Sequence, residues 1–179
     1  VSAQTYGLRS ARNHGIGDFA DIAALAERAA AEGADLLGLS PLHARFRDQP
    51  ERGCPYAPSS RRWLDPFTIA LDWAAADLGI PLPALPDVPE TDLVDYAAVA
   101  AVKEAGFAAL FEGFGPAHPL YDDYRAWSAD EGRALESFAR FEAIALTLKA
   151  ERGVPVGWQN WPVELRRVDH PAVDAFAAE

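Results

Sequence analysis

The order of elements in the first forty residues constrains the fold of this chain more than any other feature. Val1, Ala3, Thr5 and Gly7 alternate with Ser2, Gln4 and Tyr6, which predicts a short strand over residues 1–8. Residues 9–17 (RSARNHGIG) carry two glycines and read as a turn-rich loop. Asp18 and Asp21 then open a helix, with acidic side chains at the positive end of its dipole. Phe19, Ile22, Ala26 and Ala29 share one face of that helix, and Gly33 is its expected stop. Residues 35–39 (DLLGL) follow as a short apolar strand of the kind buried in a parallel sheet. Strand, loop, helix, glycine and strand in this order make a βαβ unit, so its two strands are expected to pair in parallel.

Beyond that unit the periodicity changes. Residues 40–66 carry Pro, Arg, Ser and Gly without a repeat, which predicts a long loop after the second strand, and loops of this length in compact domains are usually functional. Residues 67–71 are expected as a short strand and 72–77 as a short helix. An extended connector follows, punctuated by Pro81, Pro83, Pro86 and Pro89. The second half reads as helical. Residues 92–114 place Tyr96, Val99, Phe107, Leu110 and Phe111 on one side, despite Gly106 in the interior, and residues 116–127 fit a further turn or short helix. Ser128 with Glu131 has the form of a capping box opening a helix that runs to residue 152. Leu135, Phe138, Phe141, Ala145 and Leu148 are its apolar stripe. Trp158, Trp161 and Pro162 form an aromatic corner, and Pro171 begins a last helix.

The expected architecture is therefore α/β and lopsided. Residues 1–71 hold the βαβ unit with the loop after its second strand, and residues 72–179 form a mainly helical subdomain. Two or three parallel strands leave bare edges and cannot close a barrel, so further strands are expected outside this chain. The start at Val1, in a sequence with no Met, gives the same expectation for the N-terminus. A net charge of −11 argues against a nucleic-acid or anionic-membrane partner, each of which needs a basic face. The single Cys54 cannot form an internal disulfide, and no signal-peptide or membrane-span pattern is present, so a cytoplasmic location is expected. The four His residues and one Cys lack metal-ligand spacing, and Gly15-x-Gly17 lacks the remainder of a dinucleotide fingerprint, so neither a metal nor a cofactor is expected.

Several motifs occur in a meaningful order. Gly15-Ile16-Gly17-Asp18-Phe19 is followed after the helix by Leu39-Ser40-Pro41-Leu42-His43. Then comes Cys54-Pro55-Tyr56-Ala57-Pro58-Ser59-Ser60-Arg61-Arg62-Trp63-Leu64-Asp65-Pro66-Phe67. The last stretch resembles the Ser-Pro-Tyr-x-Pro-Ser-Ser-Arg-Arg-x-x-Asn-Pro run of the amylomaltase (disproportionating enzyme) family of 4-α-glucanotransferases. Asp95-Tyr96-Ala97, Phe141-Glu142-Ala143 and Trp158-x-x-Trp161-Pro162 match the same family in order and spacing, so the resemblance spans essentially the whole chain. It departs at Cys54, where Ser is usual, at Asp65, where Asn is usual, and at His14, where Trp is common. The resemblance implies the first two strands and first helix of a (β/α)8 TIM barrel, with a helical insertion after the second strand. It also implies transfer of α-1,4-glucan segments to glucose or maltooligosaccharide acceptors by a retaining mechanism.

Retaining glycosyl transfer needs two carboxyl groups about 5–5.5 Å apart. In the resembling family these sit on later barrel strands, so no catalytic residue is assigned here and this chain alone is expected to be inactive. Asp18 and Asp21 are explained by the helix start, Asp122 and Asp123 by a solvated surface, and Asp65 by organising the backbone around Pro66. The resemblance implies substrate binding at Tyr56, whose ring would line the donor sugar site; the alternative is a buried Tyr anchoring the loop. Ser59, Cys54 and His43 are weaker binding candidates, each with a loop-shaping or structural alternative. Trp158 and Trp161 fit either a sugar platform or packing, and Phe107, Phe138 and Phe141 belong to core stripes. Two rival functions stay open: an α-amylase-type hydrolase of the same barrel clan, and a non-catalytic helical interaction module.

Overall fold

The structure, a computed structural model, describes residues 1–178. It contains five α-helices and two two-stranded sheets among those residues. The chain forms two compact units, Val1–Arg45 with Pro50–Tyr121, and Phe46–Gln49 with the chain from Asp122 onward.

In the first unit, β1 (Ser2–Ala3) pairs with β2 (Gly38–Leu39) in parallel, Ser2 opposite Gly38 and Ala3 opposite Leu39, as the βαβ pattern predicts. The first strand is shorter than expected. The chain leaves the sheet because the Thr5 N–H donates to Ser40 Oγ at 3.1 Å, and a 3-10 turn over Thr5–Gly7 takes the next residues. Between the strands runs α1 (Phe19–Ala31), opened by a reciprocal capping box. The Asp18 carboxylate accepts the N–H groups of Ala20 and Asp21 at 3.0 and 3.2 Å, and the Asp21 carboxylate accepts that of Asp18 at 3.0 Å. Gly33, at φ 85°, ends the turn after α1 as expected. Of the expected apolar face, Phe19, Ile22 and Ala29 are partly covered and Ala26 is exposed.

Residues 40–66 are more ordered than their composition predicts. β3 (His43–Ala44) and β4 (Ser60–Leu64) pair antiparallel, with an irregularity between His43 and Ala44. Backbone bonds from Ser59 N to Ala44 O (2.8 Å) and Asp65 N to Leu42 O (2.9 Å) flank the ladder. The strand expected over residues 67–71 is instead a 3-10 turn, Pro66–Thr68, leading into α2 (Leu71–Leu78). Asp65 dictates this: its carboxylate accepts the Phe67 N–H at 3.1 Å and its carbonyl accepts the Thr68 hydroxyl at 2.6 Å, while Pro66 presets a helical φ. α3 (Tyr96–Gly113) follows the Pro-rich connector. Its buried side holds Val99, Val102, Lys103 and Leu110, whereas Phe111, placed by periodicity on that side, is exposed. Ile16, Phe67, Val99 and Ala100 form the core here, covered by Tyr6, Val88 and Phe107 among others. Full burial of Phe67 contributes about 1.5–3 kcal/mol.

The second unit is built on α4 (Tyr121–Arg152), interrupted at Gly132, where φ is 50° and ψ −131°. The expected helix start at Ser128 is therefore a correction: Ser128 lies inside the helical run, and the break falls at the residue without a Cβ, which reaches this backbone conformation freely. Ile144, Ala145 and Leu148 pack with Trp161 and Val173, and Phe141 and Phe176 close over them. Trp161 is a packing residue. Its indole N–H donates to the Val156 carbonyl at 2.7 Å and its ring lies 5.2 Å from that of Phe141. Trp158 is half exposed beside it. α5 (Pro171–Ala177) begins at Pro171 as expected, capped by the His170 ring, which accepts the Ala172 N–H. Among the described residues no helix is long and apolar enough to cross a membrane.

The 3-10 turn of Thr5 and the start of α1 meet at Gly17. A Cβ there would lie 2.0 Å from the Thr5 carbonyl oxygen, a backbone atom that cannot swing away. Gly17→Ala is expected to lower unfolding free energy by at least about 1–3 kcal/mol, the range for overpacking a close-packed site. Urea unfolding checks this, and an unchanged midpoint would contradict the packing described.

Candidate functional site

The loop between β3 and β4 gathers the residues singled out by sequence. Ser59 anchors its far end, its hydroxyl donating to the carbonyls of Ala44 and Arg45 at 3.1 and 2.9 Å. The Ser59 side chain thus holds the loop to β3. Cys54 and Tyr56 lie in a turn whose Ala57 N–H donates to the Cys54 carbonyl at 3.2 Å. Tyr56 projects with 70% of its surface exposed, between Pro55 and Pro58. A Tyr anchoring the loop by burial would be covered; this one is not.

Beneath the turn, His43 and Cys54 share the wall of a small cavity with Thr5, Arg45, Pro58 and Asp65. Its volume is about 20 Å³, enough for roughly one water. The cavity admits no larger ligand, and Tyr56 is not among its lining. The structure thus brings His43 and Cys54 together around the cavity, sets Ser59 behind them, and leaves Tyr56 outside.

Two charge clusters, each built on a buried carboxylate, support the loop and the helix start, and neither was singled out as a cluster by sequence reasoning. In the first, Arg45 Nε donates to Asp65 Oδ2 at 2.6 Å, and the guanidinium lies 5.3 and 5.1 Å from the ring centroids of Phe67 and Tyr96. Burial pushes the Asp65 carboxyl above its ordinary range, and the Arg45 cation opposes that rise. Asp65, the departure from the family's Asn, therefore has a matching cation. In the second cluster, Arg12 pairs with Asp18, with Asp72 at 2.8 Å and with Asp21 at 3.4 Å. Lys103, fully buried, places Nζ 3.9 Å from Asp18 Oδ2 and donates to the Ile69 carbonyl at 2.6 Å. Burial lowers the Lys103 pKa against the opposing pull of Asp18, and burial with the nearby Lys103 charge lowers that of His14. One signal was available: Lys103 falls in the Val99, Gly106, Leu110 stripe of α3, where a Lys requires a partner.

These clusters account for the carboxylates that catalysis would otherwise claim. Asp18 and Asp21 are committed to the capping box and Arg12, and Asp65 to Arg45 and the Phe67 N–H. Asp122 and Asp123 are exposed on the first turn of α4.

A sequence model of the 4-alpha-glucanotransferase family matches residues 3–179. A 4-alpha-glucanotransferase of Haemophilus influenzae is 37% identical over 186 residues, covering 92% of this chain. Those of Mycobacterium bovis and Mycobacterium tuberculosis are 30% identical over 200 residues, covering 98% of it. This chain belongs to the 4-α-glucanotransferase family. It spans 26% of the length of each of these relatives.

Asp21 gives the cluster a pH signature. Burial alone would raise its carboxyl, but hydrogen bonds from Ser10, Asn13 and the Asp18 amide, with the Arg12 charge, outweigh burial and hold it below the ordinary carboxylate range. A carboxyl depressed in the folded state adds stability above its unfolded pKa and loses it as pH falls through the folded value. Asp21→Asn is therefore expected to cost more stability at pH 7 than at pH 3. Urea unfolding of both proteins at the two pH values tests this, and an equal gap would show that the carboxylate charge contributes nothing.

Proposed function

We propose that the whole protein carrying this chain transfers α-1,4-glucan segments to glucose or maltooligosaccharide acceptors with retention of anomeric configuration. In this reading residues 1–71 supply the first two strands and first helix of a (β/α)8 barrel, and residues 72–179 a helical insertion. The family match over residues 3–179 supports the reading. The surface of the β1–β2 pair supports it too, since parallel strands are normally covered on both faces, while Leu36 beside β2 is 74% exposed. Further barrel segments of the same protein would cover that surface. The acid pair of the retaining reaction would lie on those segments, because the carboxylates singled out here are committed to structure or sit on the surface.

One observation carries the assignment of Tyr56 as a sugar contact: its ring is largely exposed on an otherwise anchored loop, with a proline on either side. Ligands of such barrels bind at the C-terminal ends of the strands, and this loop follows the second strand. The aromatic face packs against the apolar face of a glucose ring, while His43, Cys54 and Ser59 shape the loop beneath or contact sugar at its rim.

In the whole protein, Tyr56→Ala is expected to lower kcat/KM for maltotriose by roughly 5- to 150-fold, corresponding to about 1–3 kcal/mol of lost contact. The melting temperature should hardly change, because an exposed ring adds little to the core. A large fall in melting temperature with unaltered kinetics per folded molecule would make Tyr56 a structural residue instead. The 179-residue chain by itself is expected to form no longer maltooligosaccharides from maltotriose; turnover that survives exhaustive purification would overturn the placement of the acid pair elsewhere.

A further inference from the structure

We propose that Arg45 is a positioning residue for the Tyr56 loop, a role that rests on the reading of Tyr56 as a sugar contact. Arg45 directly follows β3 and touches both ends of the segment that returns the chain. Its carbonyl accepts the Ser59 hydroxyl at 2.9 Å, and its guanidinium holds Asp65, just past β4, at 2.6 Å. Asp65 in turn fixes the Phe67 N–H and the Thr68 hydroxyl, so the pair is rooted in the core turn rather than in solvent.

The second half of the clamp is aromatic. The guanidinium lies over both the Phe67 and Tyr96 rings, an arrangement that a planar, delocalised cation makes and an ammonium does not reproduce. The Tyr96 ring is also the surface on which the loop backbone rests. At Gly53 an added Cβ would fall 2.3 Å from Tyr96 Cε2, so only a bare backbone approaches so closely. Arg45 therefore orients Tyr96, Tyr96 seats Gly53, and Gly53 stands three residues before Tyr56. The chain of contacts is physical at every step, and each member except the Tyr56 ring is at least partly buried.

The experiment uses the whole protein and three variants, Arg45→Met, Asp65→Asn and the double variant, with Tyr56→Ala as the reference. The double variant strands no buried charge and so keeps the test available if either single variant fails to fold. Two readouts are taken on folded protein: KM and kcat for maltotriose, and the native-state rate of trypsin cleavage after Arg52, followed by mass spectrometry. Arg52 is exposed and adjoins Gly53, so its cleavage reports order of the loop without reference to sugar. Loss of the clamp is expected to raise KM about tenfold, leave kcat within about twofold, and speed cleavage after Arg52 by at least about tenfold. Unchanged cleavage after Arg52 in the folded double variant overturns the proposal, whatever the kinetics. If Tyr56→Ala leaves the kinetics unaltered, the sugar-contact reading fails by itself, and the cleavage rate alone then decides whether Arg45 holds the loop.

Discussion

The first unit depends on the buried carboxylate of Asp18. With 1% of its surface exposed, this anion would be costly to the fold unless its surroundings replaced water. They do so from several directions. Two N–H groups at the start of α1 donate to it, Arg12 pairs with it from the preceding loop, and the Lys103 ammonium of α3 faces its second oxygen. Arg12 extends the connection to Asp72 at the start of α2, and Lys103 to the carbonyl of Ile69 just before it. One short side chain thus ties a loop and three helices. The tie is mutual, because Lys103 is fully buried and would be an uncompensated cation without Asp18.

The same device occurs again at Asp65, where a carboxylate satisfies a backbone N–H at a helical start and also holds a buried cation. The two pairs differ in how the cation is accommodated. Lys103 delivers a point charge and a hydrogen bond to a carbonyl, whereas Arg45 spreads its charge over a plane that two aromatic rings cover. Stacking leaves the edge of the guanidinium for Asp65, so Arg45 joins a polar anchor to an apolar one. Such carboxylates are poor candidates for acid or nucleophile duty, since changing their charge would release the cation each one holds.

The legible parts of this chain were those where local chemistry and tertiary packing agree. The parallel pair, the Asp18 start and Gly33 end of α1, the helices over residues 71–78 and 96–113, and the Pro171 start of α5 follow from periodicity and capping. Failures fall where a distant side chain overrides local pattern. Thr5 leaves the expected strand for a hydrogen bond to Ser40, thirty-five residues away. Phe67 leaves one for a turn organised by Asp65. The β3–β4 pair sets Ala44 opposite Ser60 and His43 opposite Leu64 across an irregular register, which leaves no alternating side-chain pattern to read. Tyr56 and Ser59 were singled out only through resemblance, since neither an exposed ring nor a hydroxyl bond to the chain at β3 leaves a periodic mark. Arg45 and Lys103 escaped because a buried cation is recognised by its partner, and the partners lie 20 and 85 residues away in sequence.

The cost of binding links the two halves of the candidate site. A flexible aromatic loop would have to be ordered by its ligand, and that ordering subtracts from affinity. Here the loop is held beforehand: Ser59 ties its far end to the chain at β3, Gly53 packs on the Tyr96 ring that the Arg45 guanidinium covers, and prolines limit the backbone on both sides of Tyr56. The cavity beneath holds no more than roughly one water, so nothing larger binds under the loop. On the reading of Tyr56 as a sugar contact, the buried polar residues raise affinity without touching the ligand. Their part is to keep one exposed ring still.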